Sequence, residues 1–182
     1  MHPDCPSIKL AYLASWRAGY QNLLTEAELD TQSEVRSGRD WASAIGRPDR
    51  ILLVAEGDTG DILGVVECEH APAEGRLPWI QMLYVVPSAW GTGAAVDLLH
   101  GALDAAHCAG HDTVWLEVVD RHARARRFYE REGFVLDTAM ASSSNGLFDL
   151  LCYRHDEPAR SRRDRASSHG QVSSPCDNAR ID

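Results

Sequence analysis

The stretch Leu83-Tyr84-Val85-Val86-Pro87-Ser88-Ala89-Trp90-Gly91-Thr92-Gly93-Ala94-Ala95 constrains this chain more than any other part of it. An apolar run with strand character stops at a proline, a loop with two glycines follows, and a helix then starts from small residues. Gly91 and Gly93 allow backbone conformations and a close approach that a side chain would forbid. Ala94 and Ala95 keep the first helical turn free of bulk, so its N–H groups and the positive end of the helix dipole can face a phosphate or pyrophosphate. Pro87 removes a ladder donor and ends regular pairing, which leaves main-chain groups of the preceding residues for a ligand. A G-x-G between strand and helix is, by itself, more often an ordinary tight turn. Two better-defined nucleotide motifs are absent: G-x-G-x-x-G would need glycine where Val96 stands, and the only lysine, Lys9, is in no P-loop.

Around this stretch the apolar spacing alternates between helical and strand periods. Residues 7–20 put Leu10, Leu13, Trp16 and Tyr20 at helical spacing, and a more polar helix is expected from about 26 to 45, closed by Pro48. A hairpin follows, with strands at 51–55 and 62–70 around the turn Gly57-Asp58-Thr59-Gly60-Asp61. Strand 80–86 leads into the glycine loop, and helix 94–109, apolar at Val96, Leu99, Leu103 and Ala106, stops at Gly110. Strand 113–119, helix 123–131 ended by Gly133, and strands 134–140 and 147–153 complete the order ααββ, then βαβαββ. This is the pattern of an α/β (α+β) mixed sheet with strand-helix-strand crossovers in its middle.

The chain of 182 residues suits one domain, expected over residues 1–156. From Glu157 onward there is no aromatic residue and little apolar material, so 157–182 is expected to be a disordered polar tail whose arginines are solvated. Acidic residues outnumber basic ones, 27 to 18, for a net charge of −9. That balance lacks the basic footprint of a nucleic-acid or anionic-membrane partner, so neither is expected, and it would suit a cationic small substrate. No apolar run approaches the roughly 20 residues of a bilayer span. Residues Met1 to Pro6 carry no signal-peptide pattern, so the expected location is cytoplasmic. Cys5, Cys68, Cys108, Cys152 and Cys176 form no C-x-x-C, and no H-E-x-x-H occurs, so neither a disulfide framework nor a metal is expected. Cys68 and Cys108 are read as small core residues.

A second motif follows about thirty residues after the first: His122-Ala123-Arg124-Ala125-Arg126-Arg127-Phe128-Tyr129-Glu130-Arg131-Glu132-Gly133-Phe134. With both motifs in this order and these contexts, the chain resembles the GNAT superfamily of acyl-CoA-dependent N-acyltransferases. That family pairs V-x-P-x-x-[RQ]-G-x-G-x-[GA] with N-x-x-A-x-x-F-Y-x-x-x-G-F, and the resemblance runs from about Ala11 to Arg154. It implies a GNAT-like fold, a central mixed sheet of about six strands flanked by about four helices. The family's first strand would be missing or shortened, since only a short segment with Pro3 and Pro6 precedes the first helix.

The resemblance further implies that strands 80–86 and 113–119 run parallel and splay apart, with the pantetheine of acetyl-CoA pairing to backbone near Leu83 and Val85. The pyrophosphate would sit on Trp90, Gly91, Thr92, Gly93, Ala94 and Ala95, and His122 stands where an asparagine commonly contacts the pantetheine. A main-chain N–H close to Val85 would stabilise the developing oxyanion. The implied activity is an N-acetyltransferase that moves an acetyl group from acetyl-CoA to a primary amine of a small molecule or peptide, by direct attack in a ternary complex. Tyr129 occupies the position of the general acid for the departing thiolate. Where many members carry a basic glutamate this chain has Trp79, so Glu67 and Glu69, on one face of the preceding strand, are the candidate proton relays. The alternative is a non-catalytic acyl-CoA-binding or sensing module, and Trp79 is the feature that favours it. Trp90 also departs from the family's Arg or Gln, one helix arginine at most is expected at the CoA phosphates, and pairing of edge strands as in relatives would give a homodimer.

Overall fold

The computed structural model describes residues 5–70, 77–140 and 142–157. The expected disordered tail, apart from Glu157, lies outside the described residues.

Helix α1 (Cys5–Tyr20) buries Ile8, Ala11, Tyr12, Ser15 and Trp16. The expected face was displaced: Leu10 is 70% exposed, because it lies about 200° round the helix from Ile8. The single helix expected over 26–45 is two helices, α2 (Glu26–Ser37) and α3 (Trp41–Ala44). Thr25 and Glu28 form a capping box at the start of α2, Gly38 ends it, and Asp40 then accepts from the Ser43 N–H to start α3. A stop and a fresh N-cap within three residues explain the break.

Strands β1 (Arg50–Glu56) and β2 (Ile62–Glu69) form the hairpin, and β3 (Trp79–Val85) pairs antiparallel with β2. A 3₁₀ turn at Pro87–Ala89 leads to α4 (Ala94–Cys108), β4 (Thr113–Val119) and α5 (Ala123–Arg131). Short strands β5 (Val135–Leu136) and β6 (Ser143–Ser144) precede β7 (Asp149–Asp156). The sheet runs β1-β2-β3-β4-β7-β5, with β6 also on β7, and only β3 and β4 are parallel. Seven strands replace the expected six because the segment 134–140 pairs for only two residues before Asp137 turns to accept from the Trp115 indole, and Ser143–Ser144 pairs again. Among the described residues no strand precedes α1, and β1 is paired to β2 alone.

The sheet is covered on both faces. On one, α4 packs Leu98, Leu99, Ala102 and Ala106 onto Val66, Cys68, Val114, Leu116 and Tyr153. On the other, α1 and α3 pack Ile8, Tyr12 and Trp41 onto Val54, Val65 and Met82. β2 therefore buries adjacent residues on opposite faces. At Gly64 on β2 a Cβ would lie 2.9 Å from both the Tyr84 carbonyl and the Leu98 side chain, so glycine is what lets α4 approach β2 this closely. Cys68 is buried as expected, its thiol pushed up to about 12 by burial, but Cys108 is exposed at the end of α4. No helix among the described residues is long and apolar enough to cross a membrane.

Candidate functional site

β3 and β4 stay paired only through Trp79–Trp115 and Ile80–Leu116. Beyond that point they diverge. A register shift against β2, where Glu67 faces Met82 but Cys68 faces Ile80, leaves Gln81 as a bulge at the point of divergence. The Val86 N–H donates to the Leu63 carbonyl at 2.8 Å, and the antiparallel alternation then turns the main-chain groups of Leu83 and Val85 toward the gap. The Val85 carbonyl accepts from the Trp90 indole at 2.8 Å, so the Val85 N–H is the group this residue offers to the gap.

Past Pro87 the chain reaches α4 through Gly91 (φ +83°) and Gly93 (φ +106°), the conformations that the glycine pattern anticipated. Gly93 is the N-cap of α4 and no side chain caps it. A Cβ at Gly91 would meet nothing within 4 Å, so the loop is open on its outer side. The strand gap and this helix start border one cavity of about 910 Å³, within the range of small-molecule and cofactor sites. Trp90, Gly91, Gly93 and Ala95 line it; Thr92 and Ala94 do not, and the Thr92 hydroxyl donates to the Ala89 carbonyl instead.

Helix α5 forms the next wall. The Arg124 guanidinium lies 3.5 Å over the Trp90 ring, so a positive charge is brought from α5 to the loop. Arg127 and Arg131 also line the cavity, whereas Arg126 is turned to Asp120 and the Tyr153 hydroxyl. Tyr129 lines the cavity with its ring edge-on to Phe128 and Phe134. Burial, with Tyr20 nearby, pushes the Tyr129 phenol well above its ordinary value, so it keeps its proton at neutral pH. His122 caps α5: Nδ1 accepts from the Ala125 N–H at 3.3 Å, and burial holds the ring below the usual histidine range. The ring is therefore neutral near pH 7 with its proton on Nε2.

The structure brings Leu83, Val85, Trp90, Gly91, Gly93, Ala95, His122 and Tyr129 to one cavity. It does not bring Glu67 and Glu69 there. Glu67 is 1% exposed, with one carboxylate oxygen on Arg39 and the other 3.1 Å from Arg50. Glu69 lies 3.7 Å from Arg50 and accepts from Gln81. The carboxylates that do line the cavity are Glu117 and Glu132. Glu117 is the first residue of β4 beyond the last β3–β4 pair and accepts from the Ser143 hydroxyl at 2.6 Å. Its signal in the sequence is a single acid in an otherwise apolar strand, Thr-Val-Trp-Leu-Glu-Val-Val. Sequence reasoning also missed Arg36 and the hydrogen-bonded pair Tyr20 and Tyr84, which line the cavity from α2, α1 and β3.

Residues 12–134 match the sequence profile of the Acetyltransferase (GNAT) family. Over 101 residues the chain is 35% identical to uncharacterized N-acetyltransferases of Mycobacterium bovis and Mycobacterium tuberculosis, covering 56% of this chain and 63% of each relative. The chain thus spans less than two thirds of the length of these curated relatives. In architecture it is similar to the PaiA N-acetyltransferase of Thermoplasma acidophilum, solved with coenzyme A, with a TM-score of 0.68 at 14% identity over 84% of this chain and 92% of that one. A nourseothricin acetyltransferase shares 28% identity with a TM-score of 0.51, over 61% of this chain and 67% of that chain.

Proposed function

Because the chain belongs to the GNAT acetyltransferase family, we propose that it transfers an acetyl group from acetyl-CoA to a primary amine of a small molecule or peptide, by direct attack in a ternary complex. The observation that carries this reading is the divergence of β3 and β4 beside the uncapped, glycine-entered start of α4. An extended pantetheine fits along the main-chain groups of Leu83 and Val85, and the pyrophosphate fits the N–H groups of Gly91, Gly93 and Ala95, with Arg124 beside them. The coenzyme A bound to the Thermoplasma acidophilum protein supports the same class of donor here.

The amine nitrogen attacks the thioester carbonyl, and the Val85 N–H stabilises the developing oxyanion. As the C–S bond breaks, Tyr129 gives its proton to the leaving thiolate, and burial keeps the phenol protonated until that step. The proton lost by the nitrogen goes, directly or through water, to Glu117, because Glu67 and Glu69 lie outside the cavity. His122 donates from Nε2 to the pantetheine. The non-catalytic alternative draws its support from Trp79, which lines the cavity where relatives carry an acid. Pairing through the β5 edge, where Val135 and Leu136 are exposed, would make the homodimer.

Following thiol release tests the reading. Tyr129→Phe is expected to slow CoA release about 100-fold or more while leaving acetyl-CoA affinity within about twofold. A wild-type protein that binds acetyl-CoA but acetylates nothing in a broad amine panel would establish the sensing alternative instead.

A further inference from the structure

The charges around the cavity say more about the acceptor than the net charge of the chain does. Among the described residues, Arg17, Arg39, Arg47, Arg50, Arg126 and Arg154 each pair with a carboxylate. The four arginines that line the cavity, Arg36, Arg124, Arg127 and Arg131, have no such partner among the described residues. Three of these belong to α5, which packs on the α4 face of the sheet next to Trp90. Arg36 comes from the other face, carried by α2, and reaches the cavity beside Ser15, Gly19, Tyr20 and Tyr84.

Arg36 is also held in place. Its guanidinium lies 4.2 Å over the Trp16 ring, and Nη1 donates to the Gln32 carbonyl at 3.2 Å and to the Gln32 side-chain oxygen at 2.6 Å. Burial raises the phenols of Tyr12, Tyr20 and Tyr84, and the charge of Arg36, which also hydrogen-bonds Tyr12, partly opposes that rise. A half-buried guanidinium with its fork pre-set and no carboxylate beside it is matched to an anion arriving from the cavity. The anions of acetyl-CoA are its phosphates, which the proposed function assigns to the glycine loop and Arg124. The thioester end carries no charge.

We propose that the anion belongs to the acceptor, and that the acceptor is a free amino acid, whose α-carboxylate binds Arg36 while its α-amine faces the thioester. This rests on the acetyl-transfer reading above and narrows it. Tyr20 and Tyr84 give the amino-acid side chain an aromatic wall. Polycationic amines are disfavoured, because Arg36 repels them at the point where the acceptor enters, whatever the net charge of −9 does at long range.

The test compares the standard L-amino acids with their α-carboxamides, which keep the amine and the side chain but lose the charge. At saturating acetyl-CoA, kcat/KM for the preferred acids should exceed that for their amides by about 10- to 100-fold. Arg36→Gln should remove that preference by slowing the acids and leaving the amides within about twofold, and Arg36→Lys should restore part of it. Acetyl-CoA affinity should be unchanged in both variants. Amides or spermidine acetylated as well as the acids by wild type would overturn the proposal, and so would an Arg36→Gln variant that slows acids and amides alike. If no amine is acetylated although acetyl-CoA binds, the transfer reading fails, and the carboxylate site is still measured by thermal shift with CoA plus N-acetyl amino acids. Stabilisation that Arg36→Gln abolishes would support it; no stabilisation of wild type would overturn it.

Discussion

Glu67 and Glu117 are both carboxylates on the central sheet, and they live in opposite circumstances. Glu67, on β2 within the fully paired half of the sheet, is enclosed and held by Arg39 and Arg50. Glu117, on β4 where pairing with β3 has just ended, is exposed to the cavity and accepts from the Ser143 hydroxyl. The same division holds for the arginines: Arg39 and Arg50 beside the paired half meet carboxylates, and Arg36, Arg124, Arg127 and Arg131 around the gap meet none among the described residues. Where strands pair, polar groups are satisfied within the protein and contribute to stability. Where they part, the same chemistry stays available to a ligand.

The largest expected effect lies on the open side. Glu117→Gln keeps the size of the side chain but cannot take a proton, so kcat should fall about 100-fold while the melting temperature moves little. A variant of unchanged rate would remove Glu117 from the chemistry and erase the contrast. On the closed side the outcome should invert. Glu67→Gln leaves the half-buried Arg39 without its carboxylate and takes one of three from Arg50, and should lower stability by about 2–3 kcal/mol in chemical denaturation, with acetyl-CoA affinity intact. Loss of acetyl-CoA binding in a folded Glu67→Gln protein would show that the two halves are not separable.

The smallest effect involves histidines on both sides. Burial holds His70, beside β2, and His122, at the gap, below the ordinary value of 6.5, and His155 on β7 behaves likewise. The unfolded chain therefore binds protons more readily than the folded one. This contribution to stability is complete above pH 6.5 and is lost as pH falls through the folded values. Melting temperatures should be lower at pH 5.5 than at pH 7.5, and saturating acetyl-CoA should sharpen the difference if it further encloses His122. A melting temperature that is flat or rises on acidification would contradict the burial of these rings.

Much of the scaffold was legible because it follows local rules. The glycine loop, α4, β4 and α5 are written in adjacent residues, with caps and stops at Gly93, His122 and Gly133. Leu10 shows where that legibility ends: its spacing from Leu13 and Trp16 is helical, but which face is inward depends on what α1 packs against. Glu67 and Glu69 fall outside the cavity for a related reason. Period-two alternation puts Glu67 and Glu69 on the same face, but nothing in β2 alone reveals that Arg39 and Arg50 converge on it from elsewhere in the chain. Glu117 and Arg36 become neighbours of one cavity only after β3 and β4 diverge, a long-range geometry with no short-range signature.

Isothermal titration of coenzyme A into the protein and into Gly93→Ala tests the central claim most directly. The account predicts one site per chain in wild type and binding weakened about tenfold in the variant, whose Cβ is strained at φ +106° in the loop that meets the pyrophosphate. No heat with wild type, or the same affinity in both proteins, would contradict it.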